Sequence, residues 1–99
     1  MNKVDKETLF KAVSSYGKFT DNQSRVLCYL VNRSVDNMIY PAVKKVSEET
    51  GVTRPTVYAS LKSLLIDGVI EKCTNSNGVY KINEEKINFI INQYKKENE

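Results

Sequence analysis

The stretch GVTRPTVYASLKSLLIDGVIEK, residues Gly51 to Lys72, decides the architecture of this chain. Thr53 suits the N-cap of a helix, because a short hydroxyl side chain can accept from an orphan amide of the first turn. Pro55 is tolerated just inside that turn, where its missing N–H has no intrahelical partner to lose. Val57, Leu61, Leu64 and Leu65 then recur at helical spacing and form one apolar stripe. Gly68 allows an abrupt exit, and Ile70 returns the chain to the same core at the head of a β-prone run.

Upstream, Pro41 and Gly51 frame a shorter helix, with Pro41 in its first turn, Gly51 just past its last, and Val43 and Val46 facing inward. These two valines face Val57 and Leu61 across a steep crossing, Ser47 is small where the helices approach, and Gly51 permits the tight turn between them. Downstream, Val69 to Cys73 and Val79 to Ile82 are β-prone runs joined by Thr74-Asn75-Ser76-Asn77-Gly78, a polar loop of hairpin length.

The flanks complete the layout. Asp5 to Ser15 carries Leu9, Phe10 and Val13 at helical spacing, capped by Asp5 and stopped at Tyr16-Gly17. A second helix runs from Asp21, taken as its N-cap, to near Ser34, with Val26, Leu27, Leu30 and Val31 on one face. Asp36-Asn37 reads as a turn, and Met38-Ile39-Tyr40 as a short edge strand cut off by Pro41. Asn83 caps a closing helix over residues 83–97, with Glu84 and Glu85 at its positive end, Lys95 and Lys96 at its negative end, and Ile87, Ile90, Ile91 and Tyr94 along one face. The expected order is α, α, β, α, α, β, β, α over a single domain spanning 1–99. Helix, tight turn, helix and polar-tipped hairpin is the winged helix-turn-helix plan, a mainly α member of the α+β class.

Composition bounds the function. The chain has 99 residues, 40% hydrophobic and 27% charged, an ordinary globular mixture. No apolar run approaches the roughly 20 residues that cross a bilayer, and Met1 to Lys11 lacks the apolar core of a secretory signal, so a soluble cytoplasmic protein without a membrane partner is expected. With no histidine and only Cys28 and Cys73 as thiols, neither a metal site nor a cofactor is expected, and buried small hydrophobes are the plainer reading of the cysteines. A nucleophile such as Ser47 or Cys73 would lack its usual base, and Glu48-Glu49 and Glu84-Glu85 are adjacent pairs on solvated helix surfaces. An enzyme is therefore not expected. The net charge of +3 permits a polyanionic partner without demanding one.

In the winged plan the second helix of the pair enters the major groove of double-stranded DNA, N-terminal residues nearest the bases. Here those residues are Thr53, Arg54, Thr56 and Tyr58. Arg54 can make a bidentate contact to a guanine edge or grip a phosphate, and the threonine hydroxyls serve phosphates or bases. Tyr58 is equally suited to packing on a neighbouring helix. Lys62 lies further along, where backbone contact is expected. Lys44 and Lys45 on the preceding helix, with Lys72 and Lys81 flanking the hairpin tip, complete a moderate basic rim. Taken singly these lysines are ordinary solvated side chains, and only their placement around one face argues for DNA. Asn75 and Asn77 at the tip would supply wing contacts in place of the arginine often found there.

The Gly51–Lys72 run resembles the recognition helix and first wing strand of bacterial winged-helix regulators such as the MarR and GntR groups. Across most of the chain, the Thr53-Arg54-Pro55-Thr56-Val57-Tyr58-Ala59-Ser60 stretch, the Gly68 exit, the hairpin through Tyr80 and the closing helix are similar to TubR, a family of small winged-helix adaptors. That resemblance implies a homodimer bound to repeated centromere-like sites in plasmid or phage partition, a tubulin-like GTPase partner, and repression of its own operon. A small transcriptional repressor is the alternative, and a protein-binding winged-helix module a third.

Two surfaces could form a homodimer. Leu9, Phe10, Val13, Ile87, Ile90, Ile91 and Tyr94 on the two terminal helices offer more apolar area than a chain of this size comfortably buries, and pairing them would space two recognition helices about 34 Å apart. In the rival arrangement, which the resemblance to TubR implies, the recognition helices themselves pack near the two-fold axis, and this would explain why the outward residues Pro55, Tyr58 and Ala59 are small or apolar.

Overall fold

A computed structural model describes residues 5–73 and 78–98. Among them lie five helices and three short strands, in the order α1 (Lys6–Tyr16), α2 (Asp21–Arg33), β1 (Met38–Ile39), α3 (Val43–Thr50), α4 (Arg54–Asp67), β2 (Ile70–Lys72), β3 (Tyr80–Ile82) and α5 (Glu84–Glu97). This is the expected winged helix-turn-helix order.

The helix ends follow local chemistry. The Asp5 side chain accepts from the Thr8 amide, and Asn83 accepts from the Lys86 amide, as expected for both caps. At α2 the cap is Thr20 rather than Asp21. Its Oγ1 accepts from the Gln23 amide at 3.2 Å while the Gln23 Oε1 accepts from the Thr20 amide at 3.0 Å, so two orphan donors are satisfied reciprocally. Asp21 instead sits in the first turn, where its charge suits the positive end of the helix. Pro41 lies ahead of α3, not inside it, because Ala42 takes the cap position in extended backbone. Gly51, in left-handed backbone at φ 76°, makes the turn from α3 to α4, and its amide donates to the Ser47 carbonyl.

β3 is the central strand, antiparallel to β1 on one side and to β2 on the other. Ile70 opposes Ile82, Glu71 opposes Lys81, and Lys72 opposes Tyr80. Directly opposed residues share a face, and faces alternate along each strand, so Ile70, Lys72, Tyr80 and Ile82 lie on one face and Glu71 and Lys81 on the other.

One contiguous core joins Leu9 and Val13 of α1, Val26, Leu27 and Leu30 of α2, Val46 of α3, Val57, Leu61 and Leu64 of α4, Ile70 and Ile82 of the sheet, and Ile87 and Ile90 of α5. Fully burying such a side chain is worth about 1.5–3 kcal/mol each, which makes this cluster the main support of the fold. Cys28 is buried within it, and burial pushes its thiol up to about 12. Cys73 is half-buried beside Met38 at the base of the wing.

The terminal helices correct an expectation. α1 and α5 pack against each other within one chain. Leu9, Val13, Ile87, Ile90 and Ile91 are at most 4% exposed, so the apolar surface expected to await a second copy is interior. Tyr94 is half-buried, Phe10 remains outward at 37%, and Phe89 of α5, outside the expected set, is 54% exposed. A polar cluster locks the same region. The Lys86 ammonium pairs with Asp67 Oδ2 at 3.0 Å and donates to the Asp67 main-chain carbonyl, the Tyr16 hydroxyl donates to Asp67 Oδ1 at 3.3 Å, and Asn83 Nδ2 donates to the Gly68 carbonyl at 3.0 Å. α1, the end of α4 and the start of α5 are thereby tied together.

Candidate nucleic-acid interface

α4 projects from the body with its buried residues Val57, Ser60, Leu61 and Leu64 facing α2 and α3, which leaves the opposite side to solvent. Arg54, Pro55, Tyr58, Ala59 and Lys62 are all exposed there, Tyr58 at 62%. At the start of α4 the Thr53 carbonyl accepts from the Val57 amide at 2.9 Å. The Thr53 side chain makes no hydrogen bond to a first-turn amide; its hydroxyl donates instead to the Thr56 Oγ1 at 3.0 Å. With Pro55 carrying no N–H, the Arg54 and Thr56 amides are the first-turn donors that no side-chain cap satisfies.

Between α4 and the wing lies an open groove of about 790 Å³. Lys44 of α3, Arg54 and Lys62 of α4 and Lys72 of β2 line it, with Tyr40, Tyr58 and Tyr80. Among the described residues, no carboxylate lines it. Lys72 reaches this groove because the pleat puts it on the core-facing side of the sheet, beyond Ile70 and beside Tyr80.

The same pleat takes Lys81 away. Opposed to Glu71 and on the other sheet face, Lys81 lines a separate groove of about 600 Å³ with Glu71, Glu84 and Glu85. Its expected place in the basic rim is therefore corrected: it faces an acidic hollow, across the sheet from Lys72. Lys45 also leaves the main groove. It borders a hollow of about 230 Å³ that contains Tyr29, Arg33 and Tyr40. Arg33 is occupied there, stacked 5.2 Å above the Tyr29 ring and paired with Glu49 at 3.0 Å. The Tyr29 hydroxyl donates to the same carboxylate, and this hydrogen bond holds Glu49 below the ordinary carboxylate range. Asn75 and Asn77 lie outside the described residues.

The expected residues brought together around the groove are thus Lys44, Arg54, Tyr58, Lys62 and Lys72, while Thr53 and Thr56, bonded to each other at the start of α4, lie outside its lining. Sequence reasoning missed Tyr40, which is 72% exposed and lines both the main groove and the neighbouring hollow. A large exposed aromatic at the end of an edge strand was the available signal.

A helix with its side chains is about 10–12 Å across and the major groove about 12 Å wide, so the exposed flank of α4 has the dimensions of a groove reader. Among the described residues no helix is long and apolar enough to cross a membrane.

Comparison with known proteins points the same way. No curated protein and no solved structure matched the chain. One family model did, described as the sugar-specific transcriptional regulator TrmB, over residues 14–85. The matched span runs from the end of α1 into the first turn of α5 and so contains the helix pair and the wing. TrmB is a family of winged-helix, DNA-binding regulators of transcription, not of enzymes. With its helix pair, its wing and the basic groove between them, the chain belongs to the TrmB family of sugar-specific transcriptional regulators.

Proposed function

We propose that this protein regulates transcription by inserting the N-terminal end of α4 into the major groove of operator DNA as a homodimer, with Arg54 reading a base edge or gripping a phosphate and Lys44, Lys62 and Lys72 holding the backbone. The observation that carries the reading is the groove between α4 and the wing, which collects four cations from three elements and, among the described residues, no carboxylate. Cations gathered on one face release condensed counterions when they replace them on phosphates, and that release drives association.

The family match favours this regulatory role over the plasmid-partition role implied by the TubR resemblance, and the comparisons give no support for centromere repeats or a tubulin-like partner. Pairing of two copies is proposed on separate grounds. The aliphatic residues of α1 and α5 lie inside the monomer, leaving Phe10 at 37% and Phe89 at 54% exposed on those helices, while α4 carries a longer outward apolar stripe of Pro55, Ala59 and Ile66, Ile66 at 78%. This supports the recognition-helix arrangement over pairing through the terminal helices.

The test is titration of duplex DNA, first the DNA upstream of its own gene, with wild-type protein and Arg54→Ala. Arg54→Ala is expected to lose about 1–3 kcal/mol of binding if it reads a base, and less if it holds a phosphate. Unchanged affinity removes α4 from the major groove.

A further inference from the structure

Tyr40 stands where β1 ends and the chain turns through Pro41 toward α3. It forms the ridge between two hollows, one holding Lys44, Arg54, Lys62 and Lys72 and the other Lys45 beside Arg33, which is paired with Glu49. At 72% exposure the side chain recovers little of the stabilisation that burying an aromatic ring would give, so core packing does not account for its position. Its hydroxyl has no hydrogen-bond partner among the described residues.

The ring is nevertheless seated. Gly78 sits in left-handed backbone at φ 78°, and a Cβ there would stand 3.1 Å from Tyr40 Cε2 and 3.7 Å from its hydroxyl oxygen. The bare glycine backbone is what lets the ring lie against the base of the wing. Below it, pairing of Ile39 with Tyr80 fixes the strand that carries the ring. A seated aromatic with an unpaired donor tip, with the four cations of the main groove on one side and Lys45 on the other, suits a phosphate oxygen. Tyrosine is among the side chains that donate to DNA phosphates, and a side chain already held in place loses little entropy on binding.

We propose that Tyr40 is a DNA-backbone contact, its hydroxyl donating to a phosphate that lies across the ridge between the recognition helix and the wing, with Gly78 providing its seat. The proposal rests on the DNA-binding reading and extends the interface to a residue outside both the recognition helix and the wing strands.

The experiment compares wild type, Tyr40→Phe, Tyr40→Ala and Arg54→Ala on one duplex by fluorescence anisotropy over a range of salt, with thermal melts of each variant. Tyr40→Phe keeps the ring against Gly78 and removes only the donor. Loss of one hydrogen bond predicts binding weakened about three- to tenfold, with the salt slope unchanged because no cation is removed. Tyr40→Phe at wild-type affinity, while Arg54→Ala is weakened, overturns the proposal and leaves the DNA-binding reading standing. Weakening of Tyr40→Ala alone overturns it equally, since the ring would then act solely as a prop for the wing. If wild type binds no duplex, the DNA-binding reading itself fails, and this proposal with it. Should Tyr40→Ala fail to fold, Tyr40→Phe decides alone.

Discussion

Lys72 and Lys81 flank the same hairpin yet stand on opposite faces of it, Lys72 across from Tyr80 and Lys81 across from Glu71. One points to the cationic groove beside α4 and the other to a hollow lined by Glu71, Glu84 and Glu85. Lys72→Ala is expected to weaken DNA binding and reduce the magnitude of the salt slope by about one. Lys81→Ala is expected to leave both unchanged. Binding isotherms at several salt concentrations check the pair, and equal losses from both variants would mean that the wing contacts DNA through both faces.

Ile90 belongs to the monomer core at 2% exposure, so its truncation is a stability experiment. Ile90→Ala is expected to cost about 2–5 kcal/mol, the usual range for deleting a buried aliphatic side chain. Ile90→Glu is expected to give an unfolded chain, not a folded monomer. Circular dichroism with urea titration reads both, and a folded Ile90→Glu monomer would return the terminal helices to the role of a dimer interface.

The Lys86–Asp67 cluster predicts a particular pH dependence. The hydrogen bond to Asp67, ahead of the charge of that carboxylate, raises Lys86 above its ordinary value of 10.5. In the unfolded chain the amine returns to that value. The contribution is therefore fully present below pH 10.5 and is lost as pH rises beyond it through the raised folded value. Lys86→Met would strand the largely buried Asp67 carboxylate and is expected to cost about 1–3 kcal/mol at neutral pH. Melting curves should show wild type converging on Lys86→Met in strong alkali, and a constant gap between them would rule out the ion pair as its source.

Ile66 is 78% exposed on α4, in line with Ala59 and Pro55. Ile66→Glu is expected to leave the fold intact and convert a dimer to a monomer, read by sedimentation velocity. If wild type itself sediments as a monomer at micromolar concentration, the homodimer is refuted. If Ile66→Glu stays dimeric, pairing lies elsewhere.

Much of the fold could be read from residue types alone, because the features that mark it are local. Gly51 and Gly68 end their helices in left-handed backbone, Thr53, Asp5 and Asn83 occupy cap positions, and the stripe Val57, Leu61, Leu64 faces the core. The position of Arg54 in the first turn of α4 was legible for the same reason. What escaped depends on pairings between distant segments. The apolar faces of α1 and α5 look like two unsatisfied surfaces until each is seen to cover the other. The side to which Lys81 points is set by strand register, and a slip of one residue would reverse it. Tyr40 gains its place from Gly78, at the far side of the sheet sequence, and no local pattern reports that contact.

The central claim is that the groove between α4 and the wing holds double-stranded DNA, and the most direct test is the salt dependence of wild-type binding to its own upstream duplex. A dimer that neutralises about six to ten phosphates predicts that log K falls linearly with log salt at a slope of about −5 to −9. A slope near zero, or no bound duplex even at low salt, would contradict it.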